Sequence, residues 1–226
     1  MRDPRSHTWV VIAAFNEGPA IRAVVERVVS DGWRCVVVDD GSRDDTGAQA
    51  EAGGALVLRH VINKGQGAAL QTGIDYALER GADILVTFDA DGQHRIEDVP
   101  ALVAALDGPG GADVALGSRF LGGIVGAKAS RKQFLKMATA ASNRMSGMQL
   151  TDAHCGLRAL RASAIPKLRI TKDRMAHASE LLRKIKTSGV RVVEVPVVVA
   201  YTEYSMSKGQ SGFGAVRILF DYFFRQ

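Results

Sequence analysis

Hydrophobic and polar positions alternate along the chain in a regular order. Trp9 to Ala13 is a short run rich in β-branched residues, and from Pro19 to Ser30 the apolar positions Ile21, Val24, Val25, Val28 and Val29 share one face of a helical period. That spacing predicts a strand and then a helix. Arg34 to Val38 predicts a second strand, closed by Asp39-Asp40-Gly41-Ser42, where Gly41 permits a tight turn and Ser42 is placed to cap a helix starting near Asp44. A strand over Ala55 to His60, a helix from about Gly65 to Arg80 and a strand over Ile84 to Phe88 continue the series. Each strand reads as a nearly continuous apolar run, as expected where both faces are covered. The βαβαβ order implies a parallel sheet in an α/β fold.

Past a fifth strand, Val114 to Gly117, the pattern becomes α+β. A basic helix around Ala129 to Gly147 leads into a mixed segment around Asp152 to Arg161, a helix near Met175 to Ser188 and a last strand, Val192 to Ala200. The tail from Phe213 to Phe224 is more apolar than an ordinary surface helix, with Phe213, Val216, Ile218, Leu219, Phe220, Tyr222, Phe223 and Phe224. It predicts an amphipathic helix with a covered face.

Composition narrows the picture. The 226 residues suit one α/β domain, and 46% hydrophobic with 23% charged residues is the make-up of a soluble globular protein. No run approaches the roughly 20 apolar residues of a membrane span. Met1 to His7 is charged and has no apolar stretch behind it, so no secretory signal is read and a cytoplasmic location is expected. Cys35 and Cys155 lack the spacing of a zinc site or a disulfide framework and are read as reduced thiols. The net charge of +5 is uneven: Arg119, Lys128, Arg131, Lys132, Lys136 and Arg144 fall between Arg119 and Leu150 without one acid. Such a segment attracts an anion, although a solvated helix face has the same composition.

In an open parallel sheet the ligand crevice lies outside the carboxyl ends of the strands. Here those ends are polar: Ala14-Phe15-Asn16-Glu17-Gly18, Asp39-Asp40-Gly41-Ser42, Asn63-Lys64-Gly65-Gln66-Gly67 and Asp89-Ala90-Asp91-Gly92-Gln93-His94. All four are expected on one edge. Asp89 and Asp91, at i and i+2, point the same way and with Gln93 form an oxygen set suited to Mg²⁺ or Mn²⁺. A cation there can bridge the two phosphates of a nucleotide-sugar. A plain turn uses the same residue types, so Asp-x-Asp alone does not decide. His60, His94, His154 and His177 are dispersed and assigned to no metal; His94 is simply close to the site. Neither a P-loop nor a Gly-x-Gly-x-x-Gly after the first strand is present, which disfavours an ATPase or a dehydrogenase.

Several motifs in order resemble those of the inverting family-2 glycosyltransferases of GT-A fold, almost end to end. Val11-Ile12-Ala13-Ala14-Phe15-Asn16-Glu17 resembles the family's opening strand and nucleotide loop, and Val37-Val38-Asp39-Asp40-Gly41-Ser42 its second signature. Ala14 and Phe15 depart from the usual proline and tyrosine; Phe15 can still stack on a base, but a hydroxyl contact is lost. Asp89-Ala90-Asp91-Gly92-Gln93-His94, Gly117-Ser118-Arg119 and Asp152-Ala153-His154-Cys155-Gly156-Leu157-Arg158 resemble the polyprenyl-phosphate group, which includes dolichol-phosphate mannose synthase.

The resemblance implies a Rossmann-like, mostly parallel sheet flanked by helices. It implies one domain with a nucleotide-sugar half at about 8–118, an acceptor half at about 119–210 and a C-terminal helix at about 211–226. By it Ala14, Phe15, Glu17, Asp40, Lys64, Asp89, Ala90, Asp91 and Gln93 bind the donor, with Asp40 and Glu17 at base or ribose; Asp89, Asp91 and Gln93 hold the metal. Arg119 faces the diphosphate, Arg131, with Lys132 as a second candidate, receives the lipid phosphate, and Asp152 orients Arg131 or the acceptor or forms a structural ion pair. Glu180 is either a sugar or acceptor contact or an ordinary helix carboxylate. Lys208, in Tyr201 to Ser211, is either a phosphate contact of a closing segment or part of a plain loop.

The implied reaction moves a sugar from a UDP-sugar to a polyprenyl phosphate, with GDP-mannose as the alternative donor, for cell-envelope glycan synthesis. A phosphate acceptor is already ionised near neutrality and needs no base. The implied partners are a membrane surface or small membrane subunit at the inner face of the cell membrane and a possible second copy of the chain, and not nucleic acid. A transferase acting on a saccharide hydroxyl, with Asp152 or Glu180 as base, and a non-catalytic nucleotide-sugar-binding protein remain as rivals. A nucleotidyltransferase lacks its glycine-rich, arginine-containing loop around Ala13 to Gly18.

Overall fold

The computed structural model describes residues 3–171 and 176–202. The alternation read from the sequence is present as β1 (Thr8–Ala14), α1 (Gly18–Ser30), β2 (Arg34–Asp39), α2 (Thr46–Ala52), β3 (Leu56–Arg59), α3 (Gln66–Glu79) and β4 (Ile84–Asp89). There follow α4 (Val99–Leu106), β5 (Val114–Val125), α5 (Ala129–Ser146), β6 (Arg158–Arg161), α6 (Ile165–Leu168), α7 (Ala176–Ser188) and β7 (Val192–Ala200). They build a seven-stranded sheet in the order β3-β2-β1-β4-β6-β5-β7. β3, β2, β1 and β4 are mutually parallel, and β7 is parallel to β5. β6 is inserted antiparallel to both β4 and β5.

Two apolar layers cover the sheet, as near-continuous apolar strands require. One packs Ile21, Val24, Val25, Val28, Leu102 and Leu106 of α1 and α4 against Val10, Ile12, Val37 and Val86. The other packs Leu70, Ile74, Leu181 and Ile185 of α3 and α7 against Val11, Val36, Leu85 and Leu160. Cys35 and Cys155 are buried free thiols, and burial pushes both up to about 12, out of the range of reactive thiolates.

The structure corrects the sequence reading in four places. Ser42 caps no helix: α2 begins at Thr46, and Ser42 Oγ accepts the Asn16 N–H at 2.9 Å, tying the β1 loop to the β2 loop. β3 is a sheet-edge strand with Leu56 and Arg59 exposed, and not a doubly covered one. β5 runs on to Val125 because its second half pairs with β7 beyond a register shift between Ser118 and Gly123. α4, unassigned from sequence, fills one face with Val99, Leu102, Val103 and Leu106. The tail, with Lys208 and the expected helix over 211–226, lies outside the described residues, as does Met175 at the expected start of α7.

Candidate active site

The carboxyl ends of β1, β2 and β4 open onto a cleft of about 490 Å³. Its entrance is set by two latched loops. Asn16 takes a left-handed conformation, φ 55°, which asparagine tolerates, and its Oδ1 accepts the Arg43 N–H at 2.9 Å. Glu17 N–H donates to Thr46 Oγ1 at 2.8 Å. Gly41, at φ 73°, lies so close to Ile62 and Asn63 that a Cβ would sit 2.8 Å from the Ile62 carbonyl carbon, so only glycine lets the third loop close against the second. Phe15 on the lip is 42% exposed, an aromatic face open to a flat ligand.

Asp40 organises the same end. Its carboxylate accepts the Lys64 N–H at 2.9 Å and the Gly65 N–H at 2.6 Å, and His60 Nδ1 stands 2.6 Å from Oδ1 while His60 Nε2 meets Thr72 Oγ1 at 3.0 Å. Asp40 therefore fixes the Asn63–Gly65 wall as well as lining the cleft. Lys64 is exposed and brings its backbone, with Asn63, Gly65 and Gln66 lining the wall beside it.

Asp89 and Asp91 line the cleft at the end of β4, and their environments differ. Burial works to raise Asp89, but it is outweighed by His94, whose Nε2 lies 2.8 Å from Oδ2, and by the charges of Arg158 and Arg119, so Asp89 stays below the usual carboxylate range. Burial, then the charges of Asp89 and Glu17, push Asp91 up to about 6, although the Gln93 N–H donates to its Oδ1 at 3.0 Å. Two carboxylates offering hard oxygens side by side fit a divalent cation of the Mg²⁺ or Mn²⁺ kind. Among the described residues no three His, Cys, Asp or Glu side chains are grouped to hold an ion alone. Mg²⁺ keeps waters and takes phosphate oxygens alongside one or two carboxylates. Gln93 acts through its backbone, its N–H on Asp91 and its carbonyl accepting from Ala200 N at 2.9 Å.

Arg119, Arg131 and Asp152 form a second assembly. Asp152 is 2% exposed and holds Arg119 through Nε at 2.5 Å and the backbone N–H at 3.1 Å; it does not pair with Arg131. Among the described residues its ion pair is with Arg119. Burial opposes the charge of Arg119, but Asp152 outweighs it and holds the guanidinium fully protonated. Arg119 Nη1 donates to Tyr201 Oη at 2.9 Å, and the Arg131 guanidinium lies over the same ring, 4.6 Å from its centroid. Tyr201 thus bridges the two arginines.

Of the residues expected at the site, Ala14, Phe15, Glu17, Asp40, Asp89, Ala90 and Asp91 line the cleft; Lys64, Gln93, Arg119, Arg131 and Asp152 are outside its lining. Glu180 is 4% exposed, accepts the Thr171 N–H and pairs with Lys184 at 2.7 Å. His94, His154, Arg158 and His177 carried no role in the sequence reading, yet the first holds Asp89 and the other three line the cleft. Among the described residues no helix is long and apolar enough to cross a membrane.

The model of glycosyl transferase family 2 matches residues 9–169. The chain is 30% identical to the UDP-N-acetylglucosamine–dolichyl-phosphate N-acetylglucosaminyltransferase of Methanococcus voltae, over 96% of this chain and 93% of that one. It is 35% identical to the polyprenol monophosphomannose synthase of Mycolicibacterium smegmatis, over 91% of this chain and 82% of that one. Glucosyl-3-phosphoglycerate synthase of Mycobacterium tuberculosis, solved in complex with Mn²⁺ and UDP-glucose, superposes with a TM-score of 0.70 at 21% identity, over 95% of this chain and 78% of that one, a likeness of fold. With its mostly parallel sheet and its polar cleft at the strand ends, the chain belongs to glycosyl transferase family 2 and is a glycosyltransferase of GT-A fold.

Proposed function

We propose that the enzyme transfers a sugar from a UDP-sugar to a polyprenyl phosphate, with inversion and with Mg²⁺ or Mn²⁺ at Asp89 and Asp91. One observation carries the reading: Phe15, Asp40 and Asn63 line the same cleft as the two carboxylates Asp89 and Asp91. The lipid acceptor is supported by the names of the two relatives, which act on dolichyl phosphate and polyprenol phosphate. The uridine base is supported by the first of them, and the metal by the Mn²⁺ bound in the structural neighbour.

When bound, the cation supplies positive charge against the negative charge that grows on the departing diphosphate. The chain's own groups do the remaining work. Asp40 and the wall it fixes hold the base, and Phe15 offers it a stacking face. His94 keeps Asp89 oriented and charged. Arg131, spread over Tyr201, receives the acceptor phosphate, which arrives ionised and attacks without a general base. The Tyr201 bridge to Arg119 couples the acceptor end to the Asp152 anchor. The acceptor reaches this site at a membrane surface or on a small membrane subunit.

The test is a panel of radiolabelled UDP-glucose, UDP-N-acetylglucosamine and GDP-mannose with undecaprenyl phosphate and Mg²⁺ or Mn²⁺, read by organic extraction. Label entering the organic phase from a UDP-sugar is expected. Label from GDP-mannose alone would reject the uridine assignment.

A further inference from the structure

Arg158 lines the cleft, where its charge helps to keep Asp89 ionised. The antiparallel register of β4 and β6 pairs it with Thr87, so the two side chains share a face of the sheet, and Asp89, two residues on, shares it too. Thr87 Oγ1 donates to the Gly156 carbonyl at 2.6 Å, which fixes the crossing point. Arg158 is 5% exposed. Its one hydrogen bond among the described residues runs from Nε to the Cys155 carbonyl at 3.0 Å, and it forms no ion pair among them. Burial disfavours its charge. A guanidinium has five N–H donors, so the four on its terminal nitrogens are left for a ligand in the cleft that the residue lines. A buried cation whose terminal nitrogens have no hydrogen-bond partner among the described residues is costly, and a ligand rich in oxygen atoms relieves that cost.

Position names the ligand. The strand order β2-β1-β4-β6 places Asp40 and Phe15, which follow β2 and β1, at the first part of the cleft, Asp89 and Asp91 at the end of β4 as the second, and Arg158 on β6 as the third. A nucleoside diphosphate sugar with its base at the first and its diphosphate at the second puts its hexose at the third. We propose that Arg158 is a donor-binding residue that holds the transferred sugar by hydrogen bonds to its oxygen atoms. The proposal rests on the reading of this cleft as the donor site. Arg119, the arginine singled out from sequence, has Nε and Nη1 spent on Asp152 and Tyr201, which leaves Arg158 as the guanidinium lining the cleft among the described residues.

Calorimetric titration in Mn²⁺ tests this without any acceptor. UDP and UDP-glucose, and in parallel GDP and GDP-mannose, are titrated into wild-type protein, Arg158→Gln and Arg158→Lys. The expected result is that each variant binds the bare nucleoside diphosphate within about twofold of wild type but loses about tenfold or more for the nucleotide-sugar, the worth of a charged hydrogen bond. The lysine variant keeps the buried charge and serves if the glutamine variant does not fold. Equal losses for both ligands would overturn the proposal by moving Arg158 to the diphosphate. Unchanged affinity for both would overturn it by leaving Arg158 structural. A wild-type protein that binds none of the four would instead overturn the donor-site reading, and this proposal with it.

Discussion

Asp91→Asn should make the metal-free protein more stable while destroying its activity. Burial and the neighbouring charges of Asp89 and Glu17 raise Asp91 from 3.8 to about 6. At roughly 1.4 kcal/mol per unit, that upward shift costs the folded state at most about 3 kcal/mol when the group is ionised. Asp91 is part-buried, so solvent screening reduces the figure to about 1–2 kcal/mol. Asparagine removes the charge and keeps an oxygen for the Gln93 N–H, now 3.0 Å from Asp91 Oδ1. A domain of this size gains about 2–4 °C per kcal/mol, so melting in a chelator at pH 7.5 should rise by about 2–8 °C.

The pH dependence follows from the direction of the shift. An acid whose folded value is raised favours folding fully only below its unfolded value, and that contribution is lost as pH rises through the folded value. The advantage of the variant should therefore be complete above about pH 6 and shrink towards pH 4. Mn²⁺ with UDP should raise the wild-type melting temperature and leave the variant's unchanged. Metal-free Asp91→Asn melting at or below the wild-type temperature at pH 7.5 would refute the electrostatic reasoning.

Other expectations are simpler. Arg131→Ala should raise KM for undecaprenyl phosphate about tenfold or more with KM for the donor unchanged, in assays varying each substrate; a donor effect alone would remove Arg131 from the acceptor site. Asp152→Ala leaves Arg119 buried and unpaired, which should destabilise the fold by about 3–5 kcal/mol in thermal unfolding; a shift under about 2 °C would contradict the pairing. A Cβ at Gly156 would collide with both carboxylate oxygens of Asp89, so Gly156→Ala should abolish Mn²⁺-dependent UDP binding in calorimetry while the far-ultraviolet circular dichroism stays native.

What could be read from sequence was what repeats locally. The apolar runs and helical faces from Trp9 to Phe88 gave the parallel half, and with it the edge on which Phe15, Glu17, Asp40, Asp89 and Asp91 meet. The rest depended on contacts distant in sequence. β6 is four residues long with arginine at each end, too short to show a period, and only its antiparallel place beside β4 brings Arg158 to Asp89. Arg119 reads as one cation of a basic run, but Asp152, 33 residues on, buries it. His94 looked merely adjacent because its return to Asp89 depends on the turn at Gly92, φ 74°, and on the bridge from His94 to Val199 of β7. The motif from Asp152 to Arg158 held the available signal for Arg158, but its acid is the more conspicuous charge in sequence.

Radiolabelled UDP-sugar, incubated with Mn²⁺ and either undecaprenyl phosphate or undecaprenol, shows whether sugar passes from a nucleotide bound at Asp89 and Asp91 to a lipid phosphate. Label is expected in the organic phase with the phosphate and not with the alcohol, and none is expected with Asp91→Asn. Equal labelling of the alcohol, or transfer only to a water-soluble saccharide, would contradict it.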